Sequence, residues 1–248
     1  MEIYSADRSL WAKLRRRYAK LVHRRPAHVQ LDRPMLTLSF DDAPATAATT
    51  GAAILGARGL KGTYFFAFGI AGQDSPFGVN ASTLHARRLA RAGHEIACHT
   101  YSHLDCGKAD AATIVANVEH NARVLAVLGV RAETFAYPYG DVSPAAKRAI
   151  GGRFSLLRAL HHGVIETGSD LNQAPAVGIE GPDGEATARR WLRLAAEKKA
   201  WLILFTHDVS DAPSPFGCTP AALERLADEA LALGFEVVTA AEGARRVA

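Results

Sequence analysis

The chain has 248 residues, 48% of them apolar, so it can bury a substantial core in one large α/β domain or two small ones. No apolar run is long enough to span a bilayer, no signal-peptide pattern opens the sequence, and Cys98, Cys106 and Cys218 are too scattered for a disulfide framework; together these point to the cytoplasm and to free thiols. The net charge of +4 is local: residues 1–34 hold 9 of the 29 Lys and Arg but only 3 of the 25 Asp and Glu, and the body is near neutral.

The basic stretch, residues 1–34, reads as an arm ahead of the main domain. Within "RSLWAKLRRRYAKLVHRR", Leu10, Trp11, Leu14, Tyr18, Leu21 and Val22 recur at helical spacing as one stripe. Arg15, Arg16, Arg17, Lys20, Arg24 and Arg25 fill much of the rest. Such an amphipathic helix either packs on the main domain with a solvated basic face or, through residues 8–25, lies on an anionic membrane with Trp11 and Leu14 among the headgroups. No nucleic-acid partner is expected, because nothing else in the chain is basic or aromatic in the required way.

From Met35 the chain alternates β-like runs with amphipathic stretches. The predicted strands are "MLTLSF", "GTYFFAF", "HEIACH", "ETFAYP", "RFSLLR", "WLILFTH" and "FEVVTA", with helical patterns over 46–60, 80–92, 109–128, 143–151, 185–199 and 219–233. This alternation predicts one α/β domain over 35–248, built on a largely parallel sheet, open or closed into a barrel. Polar residues gather at strand C-terminal ends: Asp41 and Asp42 after the first, His99 after the third, Tyr139 and Gly140 after the fourth, His207 and Asp208 after "WLILFT". Those ends are where barrel and open α/β enzymes build their sites.

Two adjacent carboxylates are costly unless something compensates them, and a metal ion is the strongest compensator. His99 and His103, four apart, face one point if their segment turns helically. With one aspartate they make a His₂Asp set that leaves coordination positions open, which is the catalytic arrangement for Zn²⁺, with Co²⁺, Ni²⁺ and Fe²⁺ as alternatives. If Asp42 is the ligand, Asp41 is near enough to act as a base toward a water that the ion acidifies. A backbone N–H near Tyr139 would help hold an oxyanion, and His207 is the candidate acid for a leaving group.

These pieces resemble the polysaccharide deacetylases of carbohydrate esterase family 4. "SFDDAP" is similar to that family's T-F-D-D-G-P, "HTYSH" to its H-[ST]-x-x-H, "YPYG" to the end of its R-x-P-Y-G, and "LILFTH" to its L-x-L-x-H, in the family's order. The resemblance implies a distorted (β/α) barrel of about seven parallel strands, with Asp41 as base, Asp42, His99 and His103 as metal ligands and His207 as acid. Three departures stand out. Ala43 replaces a glycine, which a turn with negative φ accommodates. Ala136 stands where the family has the arginine that pairs with the base, and Arg158, ending the next predicted strand, is the candidate substitute. The family's Asp-Trp motif has no clear equivalent, which leaves Asp170 as the candidate to orient His207.

Phe216, in the turn-rich stretch "HDVSDAPSPFGCTP", and Tyr139 are the aromatics placed to stack on a sugar. His161 and His162 follow a strand and read most simply as a solvated loop. The expected reaction is metal-dependent removal of acetyl from N-acetylhexosamine units of a bacterial polysaccharide. With the basic arm, a lipid-linked saccharide precursor in exopolysaccharide synthesis at the inner membrane face is an alternative substrate. A catalytically silent glycan- or partner-binding module on the same fold, and an O-acetyl esterase, are the competing expectations.

Overall fold

The computed structural model describes residues 9–248; Arg8 and the rest of the arm's start lie outside the described residues. Leu10–Ala19 forms α1, and Met35–Phe40 forms β1. The chain continues through α2 (Ala52–Gly56), β2 (Thr63–Phe66), a hairpin of β3 (Asp74–Ser75) and β4 (Gly78–Val79), α3 (Thr83–Arg91) and β5 (Glu95–Cys98). It then runs through α4 (Ala111–Val127), β6 (Thr134–Ala136), α5 (Pro144–Ile150), β7 (Leu156–Arg158) and β8 (Val177–Gly178). The last elements are α6 (Gly184–Lys198), β9 (Trp201–Thr206), α7 (Pro220–Ala232), β10 (Glu236–Val237) and α8 (Ala240–Val247).

Hydrogen bonding runs in the order β7–β6–β5–β2–β1–β9–β8, every pair parallel, and the seven strands curl into a half-barrel. The short β10 pairs only with Met35 and Leu36 of β1, below the point where β2 joins the same edge at Ser39 and Phe40. All six residues of β1 are buried, as are all six of β9, because helices cover one face and side chains fill the other. The polar groups this buries are paired: Trp201 Nε1 donates to Thr37 Oγ1 at 3.0 Å and Ser39 Oγ to the Leu204 carbonyl at 3.0 Å.

Local chemistry sets the helix starts. Asp110 caps α4 by accepting from the Thr113 N–H at 2.9 Å, while Ser143 and Thr219 cap α5 and α7, each followed by proline at the first helical position. Two features depart from the sequence pattern. The helix expected over 46–60 begins as a π-turn at Ala47–Gly51, directly after the Asp41–Asp42 pair, and only then becomes α2. α8 carries no predicted helical pattern; Thr239 and Glu242 form its capping box and half-buried Glu95 accepts from the Ala241 N–H at 2.9 Å.

The arm packs on the body, but through its small residues. Ala12 and Ala19 are buried, while Leu10, Trp11 and Leu21 are 82%, 81% and 74% exposed, so the apolar stripe faces outward. A buried ion pair holds the end of α1: Lys147 Nζ donates to Asp170 Oδ2 at 2.5 Å and to the Ala19 carbonyl at 2.6 Å. Asp170 Oδ1 also accepts from the Arg25 N–H at 2.9 Å, and the Arg25 guanidinium donates to the carbonyls of Phe154 and Ser155. Asp170→Ala would leave Lys147 buried without its counter-charge, and is expected to cost about 3–5 kcal/mol of unfolding free energy in urea titrations. A loss below about 1 kcal/mol, the range of an exposed pair, would contradict this anchoring role.

Candidate functional site

The chain leaves β1 through two consecutive left-handed residues, Asp42 at φ 55° and Ala43 at φ 45°. The expectation of a negative φ at Ala43 is therefore corrected. This left-handed step brings the Ala43 carbonyl back to accept from the Ala81 N–H at 2.8 Å. An alanine held there costs about 1–2 kcal/mol that a glycine would not. Thr100, His103 and Tyr139 also have φ near 60°, so backbone strain collects around the two aspartates.

His99 and His103 converge, but not on a helical turn as the spacing suggested. The segment between them is an irregular bend made by left-handed Thr100 and His103, and Asn117 Oδ1 braces it by accepting from the N–H groups of Tyr101 and Ser102. His99 Nδ1 donates to the Ala136 carbonyl at 2.8 Å, which turns its Nε2 toward Asp42. Asp42 Oδ1 lies 3.2 Å from His103 Nε2 and 3.6 Å from His99 Nε2, yet it accepts no hydrogen bond. One ligand atom from each of the three residues lies within 4.8 Å of the others, and all three residues are buried. Burial holds both imidazoles down to about 4, so near neutral pH each offers a lone pair. Burial pushes the Asp42 carboxyl up, as expected of a carboxylate whose compensating charge must be supplied. A neutral His₂ pair with an orphaned buried carboxylate oxygen fits a divalent cation.

Asp41 is neutralised differently. Arg158, fully buried at the end of β7, donates from Nη2 to both Asp41 oxygens at 2.6 Å. Its guanidinium carbon sits 5.1 Å from the Phe65 ring centre and 5.2 Å from that of Phe205, so two aromatic faces fix its plane. Burial pushes the Asp41 carboxyl up, but the charge of Arg158, with His99 and His207, outweighs it and holds the group below its ordinary value. Ala136, where the family motif has arginine, is the strand partner of Arg158.

Sequence reasoning missed the partner of His207. Its Nδ1 donates to Glu180 Oε1 at 3.0 Å, whereas Asp170, the candidate for that role, is committed to Lys147 and Arg25 in the arm anchor. Burial pushes the His207 imidazole down, but the Glu180 hydrogen bond and the Asp41 and Asp42 carboxylates prevail and raise it to about 9. Glu180 follows the two-residue strand β8, so the strand-end pattern held for it too, but "PAVGIE" is too short a run to read as a strand. Phe77, in the β3–β4 hairpin, was also missed; it lies 4.4 Å from the His207 ring and 5.5 Å edge-on to Phe216. A turn-rich "DSPFGVN" gives no periodic signal that could have exposed it. Phe216 is 40% exposed beside His207, and Tyr139 stands edge-on to His103 at 4.4 Å.

The comparisons agree with this geometry. A model of the polysaccharide deacetylase family matches residues 28–151. A bifunctional xylanase/deacetylase from Pseudobutyrivibrio xylanivorans is 30% identical over 111 residues, 44% of this chain; the match spans only 17% of that relative's length. Among solved structures, the chitin deacetylase of the fungal pathogen Colletotrichum lindemuthianum superposes with a TM-score of 0.60 at 18% identity, covering 86% of this chain and 89% of that one. A family 4 acetyl xylan esterase from Clostridium thermocellum, in complex with a cobalt ion, gives 0.58 at 22% identity, covering 84% and 89%. A pseudoenzyme of the same family from Bacillus anthracis gives 0.56 at 14% identity, covering 88% and 67%. At these identities the likenesses speak to the fold, and with the family match they lead to one conclusion: the chain belongs to the polysaccharide deacetylase family.

Proposed function

We propose that the chain is a metal-dependent N-deacetylase that hydrolyses the acetamido group of N-acetylhexosamine units in a bacterial polysaccharide or a lipid-linked saccharide precursor. The observation that carries this is the buried Asp42, His99 and His103 cluster lying against Asp41 and His207. A divalent cation held by those three side chains, Zn²⁺ as the first candidate, would supply Lewis acidity toward water and the acyl oxygen.

The chain's own groups carry the protons. Asp41, kept ionised by Arg158, accepts one from the attacking water; Arg158 is a positioning residue that acts through Asp41. His207, kept protonated beside Glu180, gives one to the amine nitrogen as the C–N bond breaks, so acetate and a free amine leave. The N–H of Tyr139 is assigned to the acyl oxyanion, and Tyr139 and Phe216 to sugar stacking. The outward stripe of α1 supports peripheral contact with an anionic membrane, and three unpaired thiols suit its cytoplasmic face. Among the described residues no helix is long and apolar enough to cross a membrane. A silent binding module is disfavoured, because such a module has no use for an ion-paired base and a carboxylate-oriented imidazole.

Zn²⁺-loaded protein should release acetate from short N-acetylglucosamine oligomers. EDTA should abolish the release, and Asp41→Asn should lower it by about 10²–10⁴-fold, the range for losing a general base. Release from O-acetylated sugars alone would make the chain an esterase, and no release from either would favour the silent module.

Glu180→Gln removes the charge that helps raise His207 and leaves its Nδ1–H only a neutral, weaker acceptor. An acid works only below its pKa, so the alkaline limb of the kcat profile should move to lower pH. The cation acts alike on both proteins, so the difference reads Glu180. An unmoved limb would take His207 out of the acid's role.

A further inference from the structure

Beside the candidate site, α1 and the loops after β6 and β7 enclose a groove of about 680 Å³. Lys13, Arg16, Arg17, Lys20 and His161 line it, and among the described residues no carboxylate does. Lys13, Arg17 and Lys20 are exposed, and among the described residues their side chains make no ion pair or hydrogen bond. Burial and then the charge of Lys20 push the His161 imidazole down, against the opposing charge of Asp170. Lys13, Arg17 and Lys20, like charges side by side, repel, and a bound anion relieves that repulsion.

The groove's position says what the anion is attached to. Gly140 and Ala159 also line it, and they directly follow Tyr139, which stands on His103, and Arg158, which holds Asp41. The exposed Leu10 and Leu14 line the same groove, and the exposed Trp11 and Tyr18 of α1, with Leu21 just past its end, continue the apolar stripe beside it. Cations beside the site and an apolar strip next to them together match a phosphate that joins a sugar to a lipid.

We propose that this groove binds the phosphate or diphosphate of a lipid-linked saccharide. The apolar chain lies along α1 and the sugar extends toward Asp42, His99 and His103. The sugar's fate rests on the deacetylase reading; the anion site does not.

The test is calorimetric titration of the full chain with farnesyl diphosphate, inorganic diphosphate and farnesol. Farnesyl diphosphate should bind at least tenfold more tightly than either of the others. The triple variant K13A/R17A/K20A should weaken it on the order of a hundredfold, about a factor of five per cation. W11A/L14A should weaken farnesyl diphosphate but not inorganic diphosphate. As a control for diffuse charge, R87A/R88A/R91A on α3 should change binding less than twofold. Equal losses in the two triple variants would overturn the site, and inorganic diphosphate binding as tightly as farnesyl diphosphate would overturn the lipid. Diphosphate binding without acetate release from any acetylated sugar would sink the deacetylase reading and leave the groove standing; release without diphosphate binding would do the reverse.

Discussion

Two carboxylates side by side at the end of a fully buried strand are the constraint on which the rest of this site depends. Two unit charges about 4 Å apart in a protein environment repel by roughly 4 kcal/mol. The fold answers by giving each aspartate a different partner. Asp41 has the guanidinium of Arg158, while Asp42 points an oxygen that accepts no hydrogen bond at two neutral imidazoles. The carboxyl held below its ordinary value suits the base of the proposed reaction, and the one pushed up by burial suits a ligand whose charge a cation would compensate.

The parallel half-barrel makes this division possible because its strand ends converge. β1 delivers both aspartates, the segment after β5 the two histidines, β7 the arginine, β9 His207, and the turn after β8 its carboxylate. Reaching one point from separate strands demands sharp turns, and the left-handed Asp42, Ala43, Thr100, His103 and Tyr139 are where the chain makes them. The stacking of Arg158 between Phe65 and Phe205 fixes in place a charge that would otherwise be mobile.

Much of this was legible in the sequence, for physical reasons. Long β-branched runs ending in Asp, His or Arg announce both a strand and a site, so Asp41, Asp42, His99, His207 and Arg158 could be picked out. Glu180 follows the same logic but comes just after a strand of two residues, too short to leave a pattern. The spacing of His99 and His103 suggested a helical turn; the real turn depends on backbone conformations and on Asn117, which spacing does not encode. In α1, periodicity identified an apolar stripe but not its direction. The contact is made by Ala12 and Ala19, whose small side chains let the helix approach the body, and the larger residues are left outside. The lysine–aspartate pair that seats the helix joins residues far apart in the chain, beyond any local pattern.

The arginine beside Asp41 stands one strand over from the family motif's position, at Arg158 rather than at its strand partner Ala136, and we propose that it does there what the motif arginine would do. The acid limb of the kcat/KM profile tests it most directly, compared among the natural chain, Arg158→Ala and the double variant A136R/R158A. A base works only above its pKa, and without the guanidinium Asp41 loses the strongest of the influences that hold it down against burial, so it rises. The limb should therefore shift to higher pH in Arg158→Ala and return toward its original position in the double variant. A limb that stays in place when Arg158 is removed would contradict the account.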